Sequence, residues 1–471
     1  MLITSVAVYF CVTIAIGLWA AQRVKNSKDY LVAGRSLPLY MNMATVFATW
    51  FGAETVLSVS ATFAKDWLGG IVADPFGSSF CLFFVALFFA RAFYRMDLLT
   101  IGDFYRKRYS KQVEVLTSVA ITASYLGWTS AQLTALGLVF AVLSGGAIDL
   151  NTGILIGGII VLGYTIWGGM WSVALTDLFQ TVVILIGLTA VAFLVGGMAG
   201  GPGKVVSAAL EAGKFDFWPK GGTKEWLWFL AMSMTLAIGS IPQQDVFQRV
   251  TSAKDERTAV RGSLLGGVLY FCFAFVPMFI AYSALVIDPG FEKLFANEDA
   301  REIQRILPNL ILERTPMWAQ VLFFGALLSA ILSTSSGALL APTALFTENV
   351  VRPFAPRLGD RQFLLLLRVV LVLFTLAALL FALNSRSTMY EMVQNAYKVT
   401  LVSCIVPLAA GIYWKRATSA GALASVILGL ASWGIAELVA PDATVPPQLV
   451  GLGFSLLGMV LGSLVPILPR R

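Results

Sequence analysis

Thirteen long apolar runs are the feature that most constrains this chain. A helix needs about 20 apolar residues to cross roughly 30 Å of hydrocarbon, where every backbone group must find its hydrogen bond within the protein. The runs predict spans over 3–22, 39–63, 71–93, 113–143, 151–168, 173–199, 226–248, 263–287, 317–346, 362–384, 388–414, 418–438 and 447–468. Of all residues, 58% are hydrophobic and only 13% are charged, whereas soluble domains carry about 25% charged residues. We therefore predict an all-α polytopic membrane protein.

The placement of basic residues predicts how the chain is oriented. Of its 33 lysines and arginines, 21 fall in loops on one side of the predicted spans and 10 on the other, with Arg368 and Lys398 inside spans. Cytoplasmic loops carry the basic excess. The N-terminus is therefore expected outside the plasma membrane and the C-terminus in the cytoplasm. The longest outer loop, 288–316, has apolar residues at helical spacing and is expected to hold a short surface helix.

Several classes of protein are excluded by what the sequence lacks. It contains no histidine, so imidazole-based nucleophiles, proton relays and His-ligated metals are ruled out. The four cysteines lie singly in apolar runs, without the spacing of a metal clip or redox pair. No GxxxxGK[ST] segment is present to bind ATP. We predict a protein that is not an enzyme, and its net charge of +7 does not call for nucleic acid because the basic excess belongs to the loops.

Two predicted spans contain residues that lipid alone would not tolerate. The second carries Asn42, Thr49, Gly52 and Glu54, and the seventh ends in 239–245, Gly-Ser-Ile-Pro-Gln-Gln-Asp. Broken helices at membrane depth are tolerated where they line a cavity. Five spans separate the two breaks, and five crossings invert the direction of the chain. This predicts two inverted repeats, 39–199 and 226–414, within a single transporter domain covering 1–471.

Six short motifs match one family, in the same order along nearly the whole chain. They are Gly34–Pro38 (GRSLP), Ala48–Glu54 (ATWFGAE), Tyr164–Gly169 (YTIWGG), Thr176–Gln180 (TDLFQ), Phe247–Arg249 (FQR) and Ser333-Thr334. The chain resembles the sodium/solute symporter family, which includes sodium–proline, sodium–glucose, sialic-acid and choline transporters. The resemblance implies a LeuT-type five-plus-five inverted repeat with extra N- and C-terminal helices, and transport by alternating access.

The resemblance also implies sodium as the coupling ion. In the family, one site uses two backbone carbonyls of the first broken helix, and a carbonyl and two hydroxyls of the ninth span. Matched by motif, these ligands are Ala48, Phe51, Ala330, Ser333 and Thr334. Oxygen ligands suit a hard cation, and an unwound segment frees carbonyls to act as ligands. The alternative for the two hydroxyls is a hydrogen bond to the preceding turn or packing against a neighbouring helix.

A possible second sodium site is implied for some relatives by an aspartate together with serines of the ninth span. The matching residues here are Asp177, Ser333 and Ser336. The position after Ser336 is a further serine in those relatives and Gly337 in this chain. An intramembrane carboxylate is a functional hypothesis by default. The alternative is that Asp177 stabilises the first turn of its own helix near the cytoplasmic interface.

Seven residues are candidates for contact with the solute near the bilayer midplane. They are Trp50, Glu54, Thr55, Trp128, Gln132, Gln243 and Gln244. By motif, Glu54, Thr55 and Gln243 match positions that touch sugar in glucose-type relatives. Trp50 and Trp128 match an aromatic cage of choline-type relatives, whose third tryptophan is replaced here by Gln243. Aromatic faces attract cations and amides both donate and accept, whereas interfacial packing of the tryptophans and a structural role for Glu54 are the alternatives.

Together these features predict a secondary active symporter that imports a small polar organic solute with sodium. The expected solute is an amino acid such as proline, or a related amine or zwitterion. Its expected partners are the solute, sodium and the lipid bilayer, with no nucleic acid and no required oligomer. A solute-sensing membrane receptor and a proton-coupled transporter of the same fold are the alternatives. Asp245 and Arg249, near the cytoplasmic end of the seventh span, are expected either to pair as an inner gate or to be solvated.

Overall fold

The computed structural model describes residues 2–297, 299–354 and 359–464, and within these ranges the chain is helical with no strand. Three basic residues of the orientation count, Arg357, Arg470 and Arg471, lie outside the described residues.

Each predicted span corresponds to a helix or to a helix with a break. Nine described helices are long and apolar enough to cross a membrane, and two further spans are pairs of helices bent by 54° and 44°. A shorter apolar helix and a third interrupted pair complete the set of thirteen. The spans are α1 Leu2–Ala21, α2 Leu39–Trp50 with Glu54–Lys65, α3 Leu68–Arg95, α4 Lys111–Leu143, α5 Leu150–Gly163, α6 Gly169–Met198, α7 Thr223–Ala237 with Gln244–Thr251, α8 Glu256–Ile287, α9 Met317–Phe354, α10 Asp360–Asn384, α11 Met389–Ser403 with Ile405–Tyr413, α12 Ser419–Val439 and α13 Pro447–Leu464.

Burial separates central helices from peripheral ones. In the most apolar stretch of α9, 83% of the residues are buried, and in that of α4, 78% are. The corresponding share is 22% in α1 and in α12. Helices α4 and α9 therefore form the centre of the bundle, and α1 and α12 leave most of their apolar surface facing outward, as lipid contact requires.

Helices α2 and α7 are joined at one end of the bundle. The Leu37 N–H, just before α2, donates to the Ser252 carbonyl at 3.0 Å, and the Lys254 N–H donates to the Leu37 carbonyl at 2.9 Å. The Asn42 amide, in the first turns of α2, donates to the Arg249 carbonyl of α7 at 2.6 Å. Main-chain hydrogen bonds therefore join the segments that flank the two interrupted helices, and the Asn42 side chain joins the helices themselves.

The opposite end of α2 is held by a segment that follows α6. The Lys214 Nζ donates to the carbonyls of Lys65 and Asp66 at 2.7 and 2.8 Å, which satisfies the C-terminus of the helix with a cation. Backbone hydrogen bonds from Leu68 to Lys214 and from Gly69 to Asp216 continue the contact. Burial raises the pKa of the Asp66 carboxyl and lowers the pKa of the Lys214 amine, while the opposite charge of each partner limits both changes.

The long loop 288–316 contains the predicted helix, but that helix is not confined to the surface. It covers Ile306–Arg314, and its residues Ile306, Leu307 and Leu310 are fully buried. The apolar residues that predicted a helix here therefore pack that helix against the bundle.

Gly429 offers a test of the packing between α11 and α12. A Cβ on Gly429 would lie 1.9 Å from the Val402 carbonyl oxygen, whereas a Cβ on Gly434 of the same helix would meet nothing within 4 Å. We expect Gly429→Ala to lower the free energy of unfolding by about 1–3 kcal/mol through overpacking. Gly434→Ala should leave it unchanged or raise it by up to about 1 kcal/mol. Thermal unfolding in detergent measures both, and equal melting temperatures would contradict this packing.

Candidate functional site

The break in α2 releases backbone groups that an uninterrupted helix would pair. Helix Leu39–Trp50 ends at Phe51, whose φ of −84° and ψ of 76° are not helical. The Gly52 N–H then donates to the Trp50 carbonyl at 3.0 Å instead of to the Ala48 carbonyl four residues back, as helical geometry would require. The next N–H, of Ala53, donates to the Gln132 side-chain oxygen at 3.2 Å. The Ala48 carbonyl is thereby free to accept another partner.

That carbonyl faces the two hydroxyls predicted to act with it. The Ser333 Oγ lies 3.0 Å and the Thr334 Oγ1 3.3 Å from the Ala48 oxygen, and all three residues are fully buried. Ala330, one turn earlier on α9, is also fully buried. Four of the five predicted sodium ligands thus lie on the two facing helices, and Phe51 lies at the break itself. Their role as ligands stays a prediction.

Asp177 of α6 joins the same group of oxygens. Its Oδ1 lies 2.6 Å from the Ser333 Oγ, which is also the atom 3.0 Å from the Ala48 oxygen. One hydroxyl proton can serve only one of these two acceptors. The Ser336 hydroxyl donates instead to the Ser333 carbonyl at 2.8 Å, within its own helix. The oxygens of Ala48, Ser333, Thr334 and Asp177 thus converge on one place, and oxygen is the ligand type that a hard cation prefers.

Glu54, just beyond the break in α2, is held by α4. The Trp128 Nε1 donates to its Oε1 at 3.3 Å, and the Gln132 Nε2 donates to its Oε2 at 2.5 Å. The Glu54 residue is 4% exposed. Glycine at position 52 makes room for the Glu54 carboxyl group, because a Cβ on Gly52 would lie 2.3 Å from the Glu54 Oε2. Three of the predicted solute contacts are therefore connected to one another.

An aromatic cluster that includes Tyr397 lies beside Glu54. The Trp50 ring stacks on Tyr397 with centroids 6.1 Å apart and an angle of 11°, and the Trp128 ring lies 6.1 Å from Tyr397 at 48°. Tyr397 belongs to α11 and was not predicted. Its spacing in the sequence does not distinguish it from a packing residue. Tyr397 is thus a third aromatic ring in contact with Trp50 and Trp128, and it lies on a different helix from Gln243.

A second buried carboxylate, Asp74, was also missed. It lies in α3 at a non-helical position with φ −138° and ψ 121°. The Thr55 hydroxyl is 3.1 Å from its Oδ2 and 3.0 Å from the Tyr270 hydroxyl, which donates to the Asp74 Oδ1. The Asp74-Pro75 pair in an otherwise apolar run was the available signal. Thr55, predicted to contact the solute, is thus also part of an internal network.

The break in α7 directs its two glutamines to different neighbours. The Gln243 Nε2 donates to the hydroxyls of Ser124 at 3.0 Å and Thr400 at 3.3 Å, while its buried Oε1 has no hydrogen-bond partner within the described part of the chain. The Gln244 Oε1 accepts from the Ile101 N–H at 2.8 Å, which ties it to the start of helix Ile101–Arg108. Gln243 therefore has a free acceptor, whereas the Gln244 acceptor positions a neighbouring helix.

Asp245 and Arg249 are buried, so the expectation that they are solvated is wrong. Asp245 is 1% exposed and Arg249 2%. The Tyr125 hydroxyl of α4 donates to the Asp245 Oδ1 and accepts from the Asp245 N–H at 2.9 Å. The Arg249 Nε donates to the Thr49 hydroxyl at 2.8 Å. The second helix of the seventh span, Gln244–Thr251, is buried along its whole length. For this reason its charged residues do not reach water.

Comparisons with known proteins agree with this geometry. The model of the sodium:solute symporter family matches residues 30–429. High-affinity choline transporter 1 of Caenorhabditis elegans is 25% identical over 91% of this chain and 76% of its own length. The sodium/glucose cotransporter of Vibrio parahaemolyticus is 24% identical over 90% of this chain and 82% of its own.

The fold is also similar to solved structures. A Na⁺-coupled sialic acid symporter in a substrate-bound outward-open state aligns with a TM-score of 0.81 and 18% identity, covering 99% of this chain and 98% of that one. The chain has the LeuT-type fold that its sequence predicts.

The Thr55 network can be tested without a solute. Replacing Thr55 with valine keeps the volume but removes the hydroxyl shared by Asp74 and Tyr270, so we expect a loss of about 1–3 kcal/mol in the free energy of unfolding. Thr62→Val is the matched control, because the Thr62 hydroxyl bonds the Ser58 carbonyl of its own helix at 2.8 Å. Thermal unfolding of both variants in detergent measures the difference. An unchanged melting temperature for Thr55→Val would show that the network is not stabilising.

Proposed function

We propose a specific transport activity on the premise that this chain belongs to the sodium:solute symporter family, whose model covers most of it. Sodium-coupled symport by a multi-pass membrane protein follows from the family and from its choline and sodium/glucose relatives. The proposal adds the solute class and the ion site. The solute is a small organic cation or a zwitterionic amine, imported by alternating access, and sodium binds between α2 and α9.

The observation that carries the sodium site is the Ala48 carbonyl. It has lost its helical N–H partner and lies within 3.3 Å of two buried hydroxyls. A sodium ion there would replace weak hydroxyl contacts with direct oxygen coordination by Ala48, Ser333 and Thr334. Because α2 and α9 both contribute, the ion would hold the two helices together while bound. Asp177 would add negative charge at the edge of the site.

The charge of the central site supports a cationic group on the solute. Glu54 and Asp74 are both buried carboxyl groups, and no lysine or arginine in the described ranges forms an ion pair with either. The Trp128 indole donates to Glu54, and the Tyr397 ring joins it to the Trp50 ring. Aromatic faces and a carboxylate together favour an ammonium group, and each cation–π contact contributes about 0.5–2 kcal/mol. The free Gln243 oxygen suits a hydroxyl or N–H of the same solute.

The ion gradient supplies enough energy for accumulation. One sodium ion moving inward through 100 mV releases about 2.3 kcal/mol, and a tenfold concentration gradient adds about 1.4 kcal/mol. A single ion would thus sustain a solute gradient of several hundredfold. In this proposal the N-terminus lies outside and the C-terminus in the cytoplasm, and 39–199 and 226–414 act as inverted repeats of a single transporter domain.

Removing a hydroxyl at the sodium site should weaken sodium dependence. We expect Ser333→Ala or Thr334→Ala to raise the sodium concentration for half-maximal choline uptake in proteoliposomes by about tenfold, which corresponds to one lost ligand at about 1.4 kcal/mol. Ser335→Ala is the matched control, since its hydroxyl bonds the Ile331 carbonyl of its own helix at 2.6 Å. Accumulation that follows an imposed proton gradient without sodium would instead favour proton coupling.

The solute class can be read from competition. We expect choline, betaine and proline to shift the melting temperature or compete for uptake more strongly than glucose or a monocarboxylate. Glu54→Gln should weaken competition by choline more than competition by proline, by about 10-fold or more, because a charge-assisted contact is lost. The sodium dependence of uptake should change little. Glu437→Gln, which alters a carboxylate of α12 paired with Lys398, serves as the control. If Glu54→Gln changed the sodium dependence of uptake more than it changed competition by the solutes, Glu54 would be assigned to coupling.

A further inference from the structure

An open groove runs along α3 and the first helix of α7. Its upper part is a cavity of about 520 Å³ where α2 ends and α3 begins, and Trp67, Trp218, Glu225 and Phe229 are among its lining residues. A lower part of about 170 Å³ continues along the two helices and is also lined by Trp218 and Phe229. Because the two cavities share lining residues, they form one groove from the segment 212–222 into the membrane.

The lower part of the groove is an apolar track. Residues at intervals of four line it on both helices: Val72, Phe76 and Phe80 on α3, and Phe229, Ser233 and Ala237 on α7. From Phe229 to Ala237 the track is about 12 Å long along a regular helix. The Ser233 hydroxyl donates to the Phe229 carbonyl of its own helix at 2.8 Å. Phe80 is 50% exposed within a membrane span, so the track is open to lipid.

Aromatic rings in mutual contact lie where the two parts of the groove meet. The Phe217 ring centroid is 4.8 Å from that of Phe76 and 4.9 Å from that of Trp218. It is 5.4 Å from that of Phe229, and Trp218 stacks on Trp226 at 5.9 Å. Trp218 is 61% exposed and Trp226 46%. Exposed tryptophans are typical of the headgroup level of a membrane, which places the upper part of the groove at that level.

Charged side chains of both signs surround the upper part. Lys220 forms an exposed ion pair with Asp216, and Glu225 accepts a hydrogen bond from the Gly221 N–H at 2.8 Å. An exposed pair contributes little free energy, so the Lys220 ammonium can exchange Asp216 for another anion. One cation and two carboxylates disfavour a headgroup that carries only negative charge. They fit a headgroup that carries both a phosphate and an ammonium.

We propose that this groove binds one zwitterionic phospholipid. Its phosphate lies at Lys220, its ammonium at Glu225 and the face of Trp218, and one acyl chain along the track between α3 and α7. The lipid would bridge the helix that follows α2 and the part of α7 that precedes its break. This inference goes beyond the transport activity and does not depend on which solute is carried.

Native mass spectrometry of the purified full chain in detergent tests the headgroup contacts with defined lipids. We expect one phosphatidylethanolamine to bind about tenfold more tightly than a phosphatidylglycerol with the same acyl chains. Lys220→Glu combined with Trp218→Ala should weaken phosphatidylethanolamine binding by about tenfold, because the phosphate loses its cation and the ammonium its aromatic face. Lys293→Glu combined with Trp318→Ala is the matched control, since both residues are exposed and lie outside the groove.

A second variant tests the acyl-chain track. Ser233→Phe fills the lower part of the groove and should weaken phosphatidylethanolamine binding by about tenfold. Ser432→Phe on α12 is the matched control, because the exposed Ser432 hydroxyl likewise bonds its own helix, at the Leu428 carbonyl, at 2.6 Å. Thermal unfolding first establishes that each variant is folded.

The outcomes are distinct from those that test sodium coupling. Equal affinity for the two lipids, or wild-type lipid binding by both folded groove variants, would overturn the inference and leave the rings as a general interfacial belt. Tighter binding of phosphatidylglycerol would point to an anionic lipid and overturn it as well. Full competition by glycerophosphoethanolamine, the headgroup without chains, with no effect of Ser233→Phe, would assign the groove to a soluble zwitterion instead of a lipid.

Discussion

The Ala48 carbonyl, which has lost its helical hydrogen bond, is the constraint on which the rest of the site depends. It is released because the Gly52 N–H turns back to Trp50 and the Ala53 N–H is taken by Gln132. An acceptor left alone in a buried, apolar setting costs several kcal/mol. The hydroxyls of α9 lower that cost, and a cation would lower it further. The interruption of α2 is therefore stable only because a second helix carries polar groups at the same depth.

Helix α4 links the two interrupted helices through one of its faces. Trp128 and Gln132 hold Glu54 beyond the first break. Ser124 and Tyr125, one turn or two earlier, hold Gln243 and Asp245 at the second. These positions recur at the spacing of a helical face. The contacts of Glu54 and the placement of the segment Gln244–Thr251 thus depend on the same helix.

The fold was predictable because lipid imposes a strict rule on length and polarity, and the thirteen apolar runs follow it. The polar residues of broken spans, such as Glu54 and Ser333, were equally visible because they violate that rule. Tyr397 and Asp74 were not found, since an aromatic residue in an apolar run carries no signal and one acid in a span reveals no partner. Arg249 packs against Gly337, 88 positions away in the sequence, and such pairings arise only from tertiary packing.

The main-chain bonds between Leu37 and the segment 252–254 have a consequence for motion. Because they join backbone to backbone, no side-chain rearrangement can release them. The start of α2 and the end of α7 must therefore move together as one unit, or two hydrogen bonds must break in every transport cycle. The far end of α2 is held by the Lys214 amine, and Leu68 and Gly69, which follow it, donate backbone hydrogen bonds to Lys214 and Asp216. A tilt of α2 during transport must therefore carry the neighbouring segments with it, or break main-chain hydrogen bonds at one of its ends.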